Sequence, residues 1–298
     1  AGRVLRPADL GRLLLLAAIW GASYLFMRIA VPHVGAEWMA EGRTLAGGIV
    51  MAGYLAATRT PARVARHWRG YLVLGVVAVA IPFWLIGTAV KTIDASTAAI
   101  LNATSPIFSA IVAAAWIRER LTVEKVAGIA LSIAGIAILV GWTPKPMTGA
   151  ELFACSLSLM ACACYGFSSV FTKVCLKDAP PAALSTASCL VAAGAMAPFT
   201  PWSVALSPVP ATAWAAVAVL GVVCTAFAFI LYYRLIADLG PVRATTVTLL
   251  IPVFGIAWGV IFLGEPLTAG RVAGAGTVLL GCALALGLLR APFRSAGE

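Results

Sequence analysis

Two prolines mark the residues with the clearest chemical potential. Pro106 follows Asn102 by four positions, and Pro252 follows Thr248 by four. A proline inside a helix has no amide hydrogen, so the carbonyl four residues earlier loses its partner. The carbonyls freed here belong to Asn102 and Thr248, each of which also carries a polar side chain. In an apolar medium such groups must be satisfied by protein, water or ligand. Each pair can therefore offer hydrogen bonds to a small polar molecule, and each suits bonding between neighbouring helices equally well.

Aromatic and hydroxyl stripes at helical spacing accompany these pairs. Trp20, Tyr24 and Met27 form one stripe, Tyr165, Ser169 and Thr172 a second, and Trp84, Thr88 and Lys91 a third. Rings of this kind give flat apolar walls to a ligand while their N–H or O–H reaches a polar group, and they also serve plain helix packing. The candidate binding set is Asn102, Thr248, Trp20, Tyr24, Trp84, Tyr165 and Ser169, with Pro106 and Pro252 as helix kinks. Tyr71, Trp142, Trp202 and Trp214 fall near the ends of apolar runs and read as interfacial belt residues.

Other chemistries are missing from the sequence pattern. All 11 acidic residues fall at loops or span ends, with Glu41 nearest an apolar interior. A cation cargo or a bound proton would call for a carboxylate at mid-span, so neutral or zwitterionic cargo is expected. Arg28, Arg43 and Lys91 are expected to snorkel to an interface, leaving the central spans without a buried cation. The two histidines, His33 and His67, lie in separate loops, and no His-Glu-x-x-His occurs. Seven cysteines sit within or beside apolar stretches without a Cys-x-x-Cys pair, so they read as small apolar filler, and neither metal nor cofactor is expected.

The elements that must position these residues follow from composition. Of 298 residues, 62% are hydrophobic and 11% charged, with mean hydropathy +1.00, whereas about a quarter of an ordinary soluble domain is charged. A spanning helix uses about 20 apolar residues. Turn signals divide the chain into ten such spans, near 10–30, 38–57, 70–91, 96–117, 124–142, 151–174, 182–201, 211–235, 243–263 and 270–290. Arg3, Arg6 and Arg12 precede the first run, which reads as a transmembrane helix rather than a cleaved signal. On the N-terminal side of the alternating loops lie sixteen lysines and arginines, among them Arg59, Arg63, Arg120, Lys177, Arg243, Arg290 and Arg294. The other side holds Lys91, Lys145 and Arg271. Positive charge collects on the cytoplasmic side, so both termini should be cytoplasmic, and the net charge of +10 needs no nucleic acid to explain it.

A shift of 146 residues superposes the two halves. Val73-Leu74-Gly75-Val76-Val77 recurs as Val219-Leu220-Gly221-Val222-Val223, Pro106 meets Pro252, and Phe108 meets Phe254. Glu119, Leu121 and Thr122 meet Glu265, Leu267 and Thr268, and Gly128 meets Gly274. Five spans per half is an odd number, so the second half must enter the membrane from the opposite side. Inverted repeats can exchange conformations and expose one central site to either side in turn.

The Trp20-Gly21-Ala22-Ser23 segment, Ser105-Pro106-Ile107-Phe108 with Ile251-Pro252-Val253-Phe254, and the ends Glu119-Arg120-Leu121-Thr122 and Glu265-Pro266-Leu267-Thr268 resemble the tandem EamA units of the drug/metabolite transporter superfamily. Within it the chain is most similar to ten-helix bacterial exporters of the YddG type, which export aromatic amino acids. The resemblance implies an all-α integral membrane protein with ten transmembrane helices in two inverted five-helix repeats, 10–142 and 151–290. It further implies no enzymatic activity. The expected role is export of small neutral or zwitterionic metabolites, aromatic amino acids first, through a central cavity in a bacterial inner membrane. Expected partners are that small-molecule substrate and membrane lipid, with no nucleic acid and a monomeric chain. Export of drugs or other metabolites, or intramembrane lipid processing, are the alternative readings; the second would need a catalytic cluster within the bilayer. If the orientation is right, single cysteines at positions 63 and 177 on a Cys-free background label only from the cytoplasm, and periplasmic labelling of either in intact cells overturns it.

Overall fold

The computed structural model describes residues 7–119, 122–141, 146–200, 208–239 and 247–285. Arg3, Arg6, Arg120, Leu121, Trp142, Lys145, Trp202, Arg243, Arg290, Arg294 and the expected span segments 243–246 and 286–290 lie outside these residues. The described chain is helical, and its first helix, Pro7–Ala57, is broken at Gly35. Gly35 has φ 80° and ψ 164°, a conformation that costs glycine nothing and strains every L-residue. The break makes two arms, α1 (7–34) and α2 (36–57). There follow α3 (Val64–Ala89), α4 (Ala95–Ile117), α5 (Val123–Gly141), α6 (Gly149–Cys175), α7 (Pro181–Met196), α8 (Ala211–Leu239), α9 (Val247–Leu263) and α10 (Ala269–Ala285).

Pro7–Ala57, Val64–Ala89, Ala95–Ile117, Gly149–Cys175 and Ala211–Tyr232 are long and apolar enough to cross a membrane, and α7, α9 and α10 are shorter apolar helices. Large apolar side chains such as Phe153, Ile133, Ile261 and Phe262 are exposed on the outside. The interior instead carries small hydroxyl residues, including Ser96, Thr97, Ser132 and Thr225. That inversion of a water-soluble surface suits lipid.

The helices of one half pack on those of the other in a two-fold pattern. Helix α1 crosses α9, and its counterpart α6 crosses α4. A Cβ placed on Gly21 would lie 2.7 Å from Phe254 Cβ and 2.9 Å from the Gly255 amide nitrogen. One placed on Gly166 would lie 2.7 Å from Phe108 Cβ and 2.6 Å from the Phe108 carbonyl carbon. Because Phe108 and Phe254 are repeat equivalents, these two crossings are one contact made twice. Likewise Gly221 on α8 abuts Ala46 and the Arg43 carbonyl of α2, while Gly75 on α3 abuts Val191 and the Ser188 carbonyl of α7. Helices α5 and α10 meet across Gly128, Gly135, Gly274 and Gly281. Helices α3 and α8 each contain a six-residue π segment, Gly75–Ala80 and Val222–Phe227, starting within one residue of the 146-residue repeat.

Since overpacking costs about 1–3 kcal/mol, Gly166→Ala and Gly21→Ala should lower the thermal midpoint in detergent. Gly53→Ala and Gly276→Ala, where a Cβ meets nothing within 4 Å, should not.

Candidate functional site

One cavity of about 310 Å³ lies where the two halves meet. Trp20 and Tyr24 of α1, Asn102 of α4, Tyr165 of α6 and Thr248 of α9 border it, so five of the seven binding candidates come together. Pro106 borders it as well. Trp20 packs edge-on against Phe229 at 6.2 Å and lies 5.3 Å from the Tyr232 ring, so its indole is held by the opposite repeat.

Trp84 and Ser169 lie elsewhere. Helix α3 borders the cavity through Ala78, Val79, Phe83 and Ile86, and Trp84 sits about 100° around the helix from Phe83. Its indole N–H donates to Glu37 Oε1 at 2.8 Å, beside a lateral groove of about 500 Å³ that Phe199 also lines. Ser169 is exposed; four residues past Tyr165 carry it about 40° around α6 as well as one turn along. Pro252 is buried inside the continuous helix α9 and does not border the cavity.

The structure corrects two expectations. The Asn102 carbonyl is not left open, because α4 breaks at Ala103 and Thr104 and the Ser105 hydroxyl donates to it at 2.7 Å. Its neighbours are satisfied similarly: Thr104 Oγ1 donates to the Leu101 carbonyl at 2.7 Å, and Cys282 Sγ to the Ala103 carbonyl at 3.0 Å. Cys162 Sγ lies 3.4 Å from the Leu101 carbonyl. Two cysteines read as filler thus supply S–H donors to a helix break.

The second correction concerns charge. Arg43 does not snorkel: it is 5% exposed and borders the cavity. Helix α2 begins just after Gly35, which places Arg43 about two turns inside and aims it at the opposite repeat. Its Nε donates to Thr225 Oγ1 at 2.9 Å, and its guanidinium lies 4.0 Å from the centre of the Phe83 ring. The Thr225 hydroxyl in turn donates to the Leu220 carbonyl at 2.9 Å. The sequence signal for this site was the Arg43 position in a Gly-rich apolar run, and it needed the partner helix to be read correctly.

At one end of the bundle the α3–α4 turn is clamped. Arg28 of α1 donates to the carbonyls of Val90 and Ile93. Arg271 of α10 pairs with Asp94 and also donates to the Pro266 carbonyl at 2.6 Å. Buried Glu265 accepts from the amides of Ala95 at 2.7 Å and Ser96 at 3.0 Å, and from the Ser96 hydroxyl. A carboxylate at a helix N-terminus gains from both the free amides and the helix dipole. Its repeat equivalent Glu119 is more exposed and pairs with Lys125 at 2.6 Å and Lys173 at 3.5 Å. The hydrogen bond from Lys125 holds the Glu119 carboxyl below the ordinary glutamate value.

A tandem arrangement of this kind has a named counterpart. The EamA-like transporter family matches residues 11–141 and again 152–287. The chain belongs to that family. A relative in Salmonella typhimurium, named a "Probable amino-acid metabolite efflux pump", is 24% identical over 285 residues, spanning 90% of this chain and 91% of its own. A "Probable terminal-alkyne amino-acid exporter" of Streptantibioticus cattleyicolor is 26% identical over 283 residues, again 90% and 91%. An uncharacterized transporter of Archaeoglobus fulgidus is 27% identical over 208 residues, 70% of this chain and 74% of its own. A protein crystal structure matches with TM-score 0.68 and 17% identity over 95% of this chain and 98% of that one, a likeness of fold alone. This EamA chain is therefore a multi-pass membrane transporter, not an enzyme.

Loss of hydrogen bonds to a charged group costs about 1.5–3 kcal/mol, while an exposed ion pair is worth about 0–1. Glu265→Ala should therefore destabilise the protein clearly more than Glu119→Ala in thermal unfolding. It should also make a cysteine placed at Thr97, now 4% exposed, reactive to a water-soluble maleimide.

Proposed function

We propose that this EamA transporter exports small amino-acid-type metabolites, aromatic amino acids first, by alternating access at the central cavity. The observation that carries the reading is a small cavity at the meeting of the two repeats, walled by Trp20, Tyr24, Phe83, Tyr165 and Phe229 and edged by Asn102 and Thr248. Its volume sits at the lower end of ligand pockets, about 300–1,000 Å³, which suits a molecule the size of an amino acid. The names of the Salmonella and Streptantibioticus relatives, both concerned with amino-acid efflux, point the same way. In this reading the chain crosses a bacterial inner membrane ten times with both termini cytoplasmic. The Arg28, Arg271 and Glu265 clamp then closes the periplasmic face, and exchange of the two repeat conformations opens it.

Counterflow in proteoliposomes loaded with phenylalanine, tryptophan or tyrosine tests this directly. Asn102→Ala should weaken apparent substrate affinity about ten- to a hundredfold. Thr248→Trp should abolish counterflow while the protein stays monodisperse. Parent-like transport by both variants places the cargo elsewhere, and transport of cationic drugs alone overturns the substrate class.

A further inference from the structure

The cavity has an electrostatic character that a neutral site lacks. Among its described lining residues Arg43 is the only formally charged side chain; no aspartate, glutamate, lysine or histidine joins it. No carboxylate among the described residues lies within 4.0 Å of its guanidinium. Of its five N–H bonds, the one on Nε goes to Thr225, and the others have no hydrogen-bond partner among the described residues. Arginine cannot shed its proton to escape burial, so the positive charge stays. In the same cavity lining the Ser23 hydroxyl, 5% exposed, is also without a hydrogen-bond partner among the described residues.

We infer that Arg43 is the anchor for a carboxylate on the cargo, and that a carboxylate, not an amine, is what the cavity requires. This rests on the reading of the cavity as the cargo site. A monoanion brings the pocket to neutrality, and the planar fork of terminal N–H groups matches a carboxylate edge-on. A phosphate monoester dianion leaves a net negative charge in an apolar cavity, and a neutral cargo leaves Arg43 unpaired. An ammonium adds a second positive charge with no acidic side chain in the lining to receive it. The amine of an amino acid is thus tolerated through the neutral oxygens of Ser23 and Asn102 and contributes little. Carboxylates without an amine belong to the same cargo class.

Ligand-induced thermal stabilisation in detergent, paired with competition in counterflow, tests the assignment. The probes are phenylalanine, 3-phenylpropionate, phenylalaninamide and phenethylamine, with pyruvate and hexanoate as aliphatic monocarboxylates. In the parent protein 3-phenylpropionate should bind at least as tightly as phenylalanine, and the amide and the amine should bind at least tenfold more weakly. Arg43→Gln should weaken the carboxylates about ten- to a hundredfold and erase the preference for phenylalanine over its amide. Arg43→Lys should keep that preference. Thr225→Val removes the partner of Nε but not the charge; it should leave the preference intact, which separates anchoring of cargo from a clamp between α2 and α8. Equal binding of amine and carboxylate, or an unchanged preference in a well-folded Arg43→Gln, overturns the inference. Arg43-dependent binding confined to the aliphatic carboxylates supports it while removing the aromatic reading of the cargo.

Discussion

A helix interrupted inside an apolar slab exposes carbonyls that lipid cannot satisfy, and much of this structure answers that constraint. The break in α4 places a turn beside the cavity, and its three carbonyls are met by Thr104, Ser105 and Cys282. In the π segment of α8 the Thr225 hydroxyl donates back to the Leu220 carbonyl, one turn earlier. At these two places the donors are hydroxyls and a thiol, too small to fill the cavity. The irregular backbone can therefore stay beside a binding site without depending on a ligand to complete it.

The same residues show how a repeated scaffold acquires an unrepeated site. The scaffold contacts come in pairs: Gly21 on Phe254 with Gly166 on Phe108, and Gly221 on the Arg43 carbonyl with Gly75 on the Ser188 carbonyl. Close approach needs the absence of a Cβ at these places, whatever side chains stand nearby. Asn102 and Thr248 also pair across the repeat, but the charged group does not. Where one half has Arg43 bonded to Thr225, the corresponding packing in the other half sets Ser188 against a helix whose equivalent residue is Val79. Two-fold packing builds the cavity, and a single cation from one repeat gives it polarity.

Asymmetry also separates the two ends of the bundle. Glu265 receives two amides and a hydroxyl at the start of α4 and is buried there. The residues equivalent to Ala95 and Ser96 are Pro241 and Val242, which between them have one amide hydrogen and no hydroxyl. Glu119 is held instead by lysines at the surface. Arg28 and Arg271 reinforce the Glu265 end. Among the described residues, the carboxylate that caps a helix start across the repeat is Glu265.

Much of this was legible in the amino-acid sequence. Hydropathy marked the apolar helices, since lipid demands long uninterrupted runs, and the 146-residue repeat followed from matched Pro, Gly and Glu in one register. Trp20, Tyr24, Asn102, Tyr165 and Thr248, which border the cavity, stood out in the sequence because intrahelical prolines and aromatic stripes leave local signatures. The face that each helix presents was decided only in three dimensions. Phe83 and not Trp84 borders the cavity, because one residue is a rotation of about 100° and only the neighbouring helices select the direction. Arg43 read as a snorkelling residue because a span-end cation in isolation reaches for water. Its partners, Thr225 and Phe83, stand 182 and 40 residues away along the chain. A buried charge is tolerated through tertiary neighbours, and no local pattern encodes which neighbours those are.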